Sequence, residues 1–135
     1  MRIQYAALPF RKTDIVQVLL ITSRETRRWV VPKGWPMKGR SPSKTAALEA
    51  LQEAGVEGEV ATKAFGSYSY VKRGPGEKSW TCKVHVHPLA VRKERDRWRE
   101  HKERVRQWFS VAEAAEAVEE PDLKKIILEF GAHET

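Results

Sequence analysis

Residues 32–58 run PKGWPMKGRSPSKTAALEALQEAGVEG, and this stretch constrains the fold more than any other. A basic, glycine-bearing loop leads into a helix with legible ends. Ser41 is placed to cap it, and Pro42 falls at the first helical position, where the missing N–H costs nothing. Gly55 is the stop signal. At about 100° per residue, Glu49 and Glu53 fall roughly 40° apart on one face, with Gln52 beside them and Thr45 a turn earlier. Ala47, Ala50, Leu51 and Ala54 fall on the other side and are expected to pack on a core. Two carboxylates suit a hard cation such as Mg²⁺, and the basic loop suits the phosphates such a cation bridges. Taken alone, two glutamates four residues apart are an ordinary solvated helix face.

The spacing of the whole stretch resembles the Nudix box, G-x5-E-x7-R-E-U-x-E-E-x-G-U, where U is aliphatic. Gly34 stands at the first glycine, Glu49 at the Glu of the R-E pair, and Glu53 at the last Glu. Gly55 and Val56 complete the motif without a gap. Three positions depart: Arg40 stands where the box has Glu, Leu48 where it has Arg, and Gln52 where it has the first Glu of the E-E pair. In that family the residues replaced by Arg40 and Leu48 face one another and hold the loop on the helix. Losing both leaves no orphaned buried charge. Gln52 keeps an oxygen for a metal or its water but brings no charge.

The resemblance implies a metal-dependent hydrolase of pyrophosphate bonds with Mg²⁺ or Mn²⁺ as cofactor. It implies Glu49 and Glu53 as catalytic and metal-holding residues and Gln52 as a third metal neighbour. WVVPKGW, the basic turn before it, and the late RQWF with its Ala-rich helix are similar to the diphosphoinositol polyphosphate phosphohydrolase branch over about residues 3–118. That branch acts on inositol pyrophosphates, diadenosine polyphosphates and related compounds. By position, Arg11, Arg28, Lys33, Gly34, Lys38, Arg40, Lys78 and Arg104 are the substrate-contact candidates. Trp35 either stacks on a base or plugs the loop. The competing reading is a catalytically impaired Nudix-fold module that binds polyphosphates or nucleotides.

At 135 residues the chain is expected to form one domain over residues 1–135. The net charge of +7 points to a polyanionic, phosphorylated small-molecule partner. Neither a Walker A sequence nor a recognised nucleic-acid motif occurs, so nucleic acid ranks last among partners. No apolar run approaches the roughly 20 residues of a membrane span. The opening MRIQYAALPFRK lacks a signal-peptide core, and a single cysteine cannot form an internal disulfide, so the cytoplasm is the expected location.

Strands are expected over residues 3–10, 15–22, 29–31, 60–71, 80–89 and 104–109, with Gly66 a possible bulge and a hairpin turn at 72–76. His85 and His87 share a strand face, but Cys82 has the opposite parity, which argues against a zinc site there. Residues 92–102, RKERDRWREHK, read as a solvated loop or helix face, or as the lining of a polyanion site. Ser110 and Glu113 form a capping-box pattern before a short helix, and residues 121–130 read as an amphipathic helix. The expectation is therefore an α/β (α+β) fold: a mixed β-sheet packed between the box helix and C-terminal helices.

Overall fold

In the computed structural model, which describes residues 1–135, the two apolar N-terminal stretches form antiparallel neighbours. These are β1 (Arg2–Lys12) and β2 (Val16–Thr22), with Phe10 opposite Val18. The long β7 (Ser79–Glu94) runs parallel to β1, with Arg2 opposite Cys82 and Phe10 opposite Ala90. Both β5 (Val56–Val60) and β6 (Gly66–Arg73) pair antiparallel with β7, along different parts of its length. On the other side β2 pairs with β8 (Arg106–Ser110) and with the two-residue β3 (Trp29–Val30). The short β4 (Lys33–Gly34) pairs with β1 opposite Tyr5 and Ala6, which ties the start of the box loop to the sheet. The sheet is mixed, as expected.

The expected strand at residues 60–71 is interrupted. Its partner β7 contains Pro88, which has no N–H to give a ladder, and the chain leaves regular pairing between β5 and β6. Gly66 opens β6 rather than forming a bulge; the register shift lies between Glu57 and Gly58. The return strand runs past Leu89 to Glu94, so the charged stretch begins as strand. The last strand starts at Arg106 instead of Arg104.

Helix α1 (Pro42–Glu49) begins as its cap signals predict: the Ser41 hydroxyl accepts the Lys44 N–H at 3.3 Å, with Pro42 at the start. It does not continue as a regular helix. Residues Ala50–Ala54 form one π-helical turn, and the Gly55 N–H bonds the carbonyls of both Ala50 and Leu51. A four-residue step overshoots an α-turn by about 40°. The wider π winding turns less than a full circle in four residues, so Ala46, Ala50 and Ala54 all stay fully buried against the sheet. Of the expected core contacts of this helix, Ala50 and Ala54 are buried, and Ala47 and Leu51 lie half-exposed at its edge.

The opposite face of the sheet carries α2 (Val111–Ala117) and α3 (Pro121–Glu134). The Ser110–Glu113 capping box is reciprocal, with both side chains bonded to the other residue's main chain. The strands serve both faces by alternation. Leu8, Val18, Leu20, Val84 and Val86 join Leu123, Ile127 and Phe130 in the larger core. Ala7, Leu19, Ile21 and Leu89 join the alanines of the box helix in the smaller one. No helix is long and apolar enough to cross a membrane.

Candidate active site

The box helix lies on the sheet with its last turns beside β4, and this places both glutamates under a cleft of about 660 Å³. Glu49 and Glu53 line it at 9% and 8% exposure. Gly34 is needed for that arrangement: a Cβ there would come 1.5 Å from Glu49 Oε2, inside the carboxylate. Glu53 Oε1 accepts the main-chain N–H of Lys33 at 3.2 Å, a bond that locks the start of the box loop to the end of its helix. The Glu49 carboxylate, unlike that of Glu53, accepts no main-chain N–H.

Two cations flank the pair. Arg104 Nη2 lies 3.9 Å from Glu53 Oε2, while its Nε donates to Glu100 Oε1 at 2.7 Å and its Nη1 to the Thr22 carbonyl at 3.2 Å. Lys33 lies with its ammonium 5.2 Å from the centre of the Tyr70 ring. Burial pushes the Glu53 carboxyl up to about 7, against the pull of Arg104 and with the help of the Glu49 charge. Burial likewise raises Glu49, with repulsion from Glu100 adding to it and Arg104 opposing. The Lys33 ammonium is lowered by burial, partly offset by Glu53. Two poorly hydrated carboxylates on one wall disfavour each other's charge, and a bound cation relieves that penalty.

The remaining walls are basic. Arg24 and Arg28 come from the turn before β3, and Lys72 and Arg73 from the end of β6. Together with Lys33 and Arg104 they set six cations against Glu25, Glu49 and Glu53 in the lining. Arg28 is braced from behind: Nη1 donates to Glu120 Oε2 at 2.9 Å and Nε lies 3.7 Å from Glu119 Oε2. Trp35 stands at the mouth at 39% exposure, with the Lys72 ammonium 6.0 Å from its ring.

Of the residues anticipated from sequence, Glu49, Glu53, Arg28, Lys33, Gly34 and Arg104 share this cleft. Five others do not line it. Arg11 continues along β1 past its expected end, so it lies over the Trp108 ring at 4.2 Å and donates to Gln17 at 2.8 Å. Arg40 lies beside Lys44 and Leu48 in a separate pocket on the outer side of the box helix. Lys38 is exposed where the box loop turns toward that helix, and Lys78 is exposed in the β6–β7 turn. Gln52 is half-buried outside the cleft lining, and its main-chain carbonyl accepts the Glu100 N–H at 3.1 Å. Sequence reasoning missed Tyr70, Lys72, Arg73 and Gln4 as cleft residues. The period-two run Tyr68, Tyr70, Lys72 was the available signal, and Tyr70 is fixed by its hydroxyl donating to Gln4 Oε1 at 2.6 Å.

No group of three or more Asp, Glu, His or Cys side chains converges as a metal cage, the His85–His87 face included. The donor set instead fits a cation that takes one or two carboxylates and completes its shell with water and substrate phosphate, as Mg²⁺ does.

The NUDIX domain family profile matches residues 3–130. Nudix hydrolase 16, mitochondrial, of Arabidopsis thaliana is 30% identical over 118 residues, covering 85% of this chain and 65% of that protein. Diphosphoinositol polyphosphate phosphohydrolase 3-beta of Bos taurus is 30% identical over 117 residues, covering 84% of this chain and 67% of that protein. The chain spans about half to two thirds of the length of the plant relatives it matches. Among solved structures, a binary complex of the C. elegans Ap4A hydrolase superposes with a TM-score of 0.72 at 17% identity, covering 98% of this chain and 97% of that one. That likeness shows the fold.

Proposed function

The chain belongs to the NUDIX domain family, and on that premise we propose that it is a pyrophosphohydrolase of polyphosphorylated small molecules. The observation that carries this reading is a pair of buried carboxylates, Glu49 and Glu53, in the floor of a cleft whose walls are basic. Nudix hydrolases use divalent metal ions, and Mg²⁺ or Mn²⁺ fits Glu49 and Glu53 as described. When bound, such an ion neutralises phosphate charge and activates the attacking water. Residues 1–135 act as a single Nudix domain, and the cytoplasm suits a chain with one buried cysteine.

The work of the chain's own residues follows from their placement. Arg28, Arg24, Lys72 and Arg73 hold the phosphates and oppose the charge that repels a nucleophile. Lys33 contributes a poorly hydrated ammonium at the floor. Glu53 either holds the ion or acts as the base for the attacking water; its proton affinity, raised to about 7 in the metal-free fold, would fall beside a cation. Arg104 favours the charged form of Glu53 against the effect of burial and orients its carboxylate. Several phosphates match the number of cations, so diadenosine polyphosphates and inositol pyrophosphates, the classes named for two of the proteins this chain resembles, rank above ADP-ribose.

The impaired binding module keeps one observation in its favour: Gln52 replaces a box carboxylate, and the nearby acid Glu100 is engaged by Arg104 at 2.7 Å. A screen with Mg²⁺ and with Mn²⁺ separates the two. The expected result is turnover of diadenosine tetraphosphate or an inositol pyrophosphate with kcat/KM at least about tenfold above ADP-ribose. Binding without turnover under either metal establishes the binding module, and a preference for ADP-ribose rejects the multi-phosphate class.

A further inference from the structure

The last carbonyls of a helix have no partner within it and are ordinarily met by water or by a local cap. At the end of the box helix a distant segment meets four in succession. The Glu100 N–H donates to the Gln52 carbonyl at 3.1 Å, and the Trp98 indole N–H to the Glu53 carbonyl at 3.0 Å. Arg106 Nη1 bonds the carbonyls of Ala54 at 3.0 Å and Gly55 at 3.3 Å, and the Arg95 N–H also reaches Gly55 at 2.8 Å. The pieces are mutually braced. The Arg106 guanidinium lies 4.1 Å from the centre of the Trp98 ring and donates to the Arg95 carbonyl at 2.7 Å. Gly55 sits under that ring with φ 67°, and a Cβ there would come 2.6 Å from it.

The same segment also reaches the carboxylate end of Glu53, through Arg104 at 3.9 Å. One stretch of chain therefore holds Glu53 at both its main chain and its side chain. We infer that residues 95–106 form a clamp that sets the position of the Glu53 carboxylate, with Trp98 and Arg106 as positioning residues. The charged run that reads in sequence as a solvated face is the support of the site. A π-helical turn is a less regular hydrogen-bonding arrangement than the α-helix before it, so its geometry depends on these outside partners. The inference rests on the reading of Glu49 and Glu53 as the metal-holding pair.

The test uses Trp98→Phe in the full chain. It keeps an aromatic ring beside Gly55 and Arg106 but removes the indole N–H together with part of the fused ring, a loss of ring area that the control reproduces. The Mn²⁺ dissociation constant, measured by electron paramagnetic resonance without substrate, is expected to rise about tenfold, the scale on which outer supports of metal ligands act. With diadenosine tetraphosphate, kcat is expected to fall about tenfold with KM within about twofold. Trp80→Phe is the control: Trp80 stands on β7 opposite Lys72 but outside the cleft lining, and its indole nitrogen is buried without a partner, so the same truncation removes no hydrogen bond. It is expected to leave both quantities within about twofold of wild type. A loss in Trp80→Phe equal to that in Trp98→Phe overturns the proposal, as does wild-type Mn²⁺ affinity in Trp98→Phe. If Trp98→Phe does not fold, Arg106→Lys is measured instead. It keeps the charge over Trp98 but lacks the planar fork that bonds Ala54 and Gly55 through Nη1 and Arg95 through Nη2 at once, and wild-type Mn²⁺ affinity there overturns the proposal equally. Glu53→Gln separates the two levels. Undiminished Mn²⁺ affinity in it removes the metal site itself, whereas loss in Glu53→Gln with none in Trp98→Phe removes only the clamp.

Discussion

The two faces of the sheet are built on opposite terms. On one, α2 and α3 press Leu123, Ile127 and Phe130 into a core of seventeen buried residues, with Phe10 and Phe65 packed edge-on against Phe130 at 4.8 and 5.5 Å. On the other, the box helix touches the sheet mainly through alanines, in a core of nine. Small side chains let that helix lie close, so Glu49 and Glu53 come to the edge of the sheet and under the cleft. Little apolar volume stabilises this side, and it carries two buried carboxylates whose charge burial disfavours. Stability is concentrated on one face and the candidate site on the other, and each can be disturbed separately.

The sharpest way to break that division is to exchange its consequences. Glu53→Gln is expected to lower kcat by about 10²–10⁴-fold, the range for loss of a general base. It should leave the metal-free protein at least as stable as wild type at pH 8, because it removes a buried charge. Circular-dichroism melts beside steady-state rates check both halves. Phe130→Ala is the converse: a loss of about 3–5 kcal/mol in urea unfolding, with kcat per folded molecule within about twofold. A Phe130→Ala protein that is fully stable but inactive would refute the separation of the faces.

The pH dependence sharpens it further. The Glu53 carboxyl is raised in the fold from the ordinary 4.5 to about 7. The native state therefore holds a proton that the unfolded chain releases within this window, and metal-free stability falls as pH rises through it. The stability of Glu53→Gln relative to wild type should therefore grow from pH 4.5 to pH 7 and level off above, by up to about 3 kcal/mol. Saturating Mg²⁺ should flatten the difference by favouring the charged form. The smallest effect is expected from Gln52→Glu. Its side chain lies outside the cleft lining, so the metal concentration for half-maximal rate should change less than about twofold. A larger drop would place residue 52 at the metal.

Much of the box-helix face was legible in the chain because its signals are local. Ser41, Pro42 and Gly55 mark where a helix starts and stops, and a four-residue spacing puts Glu49 and Glu53 together in an α-helix or in one ending as a π-turn. The basic residues were less legible. Arg11 and Arg28 both sit near turns beside apolar strands, but one extra turn of pairing carried Arg11 along β1 to Trp108, at a distance from the cleft that holds Arg28. Arg104, a candidate from sequence, lies in the same cleft as Glu53. Its partners Glu53, Glu100 and Thr22 lie at separations that no local pattern reports. Trp98 was hidden for the same reason: RKERDRWREHK has the composition of a solvated run whether or not its indole reaches a distant carbonyl.

By itself the sequence determined the strand alternation, the helix caps and the reciprocal Ser110–Glu113 box, because each follows from sterics or hydrogen bonds between residues a few positions apart. Tertiary structure alone decided three things: the π-turn, which six cations face the cleft, and how far Glu53 departs from an ordinary carboxylate. Each depends on strand register and burial, and these are set by contacts between segments tens of residues apart, so the same local residues would behave differently one register away.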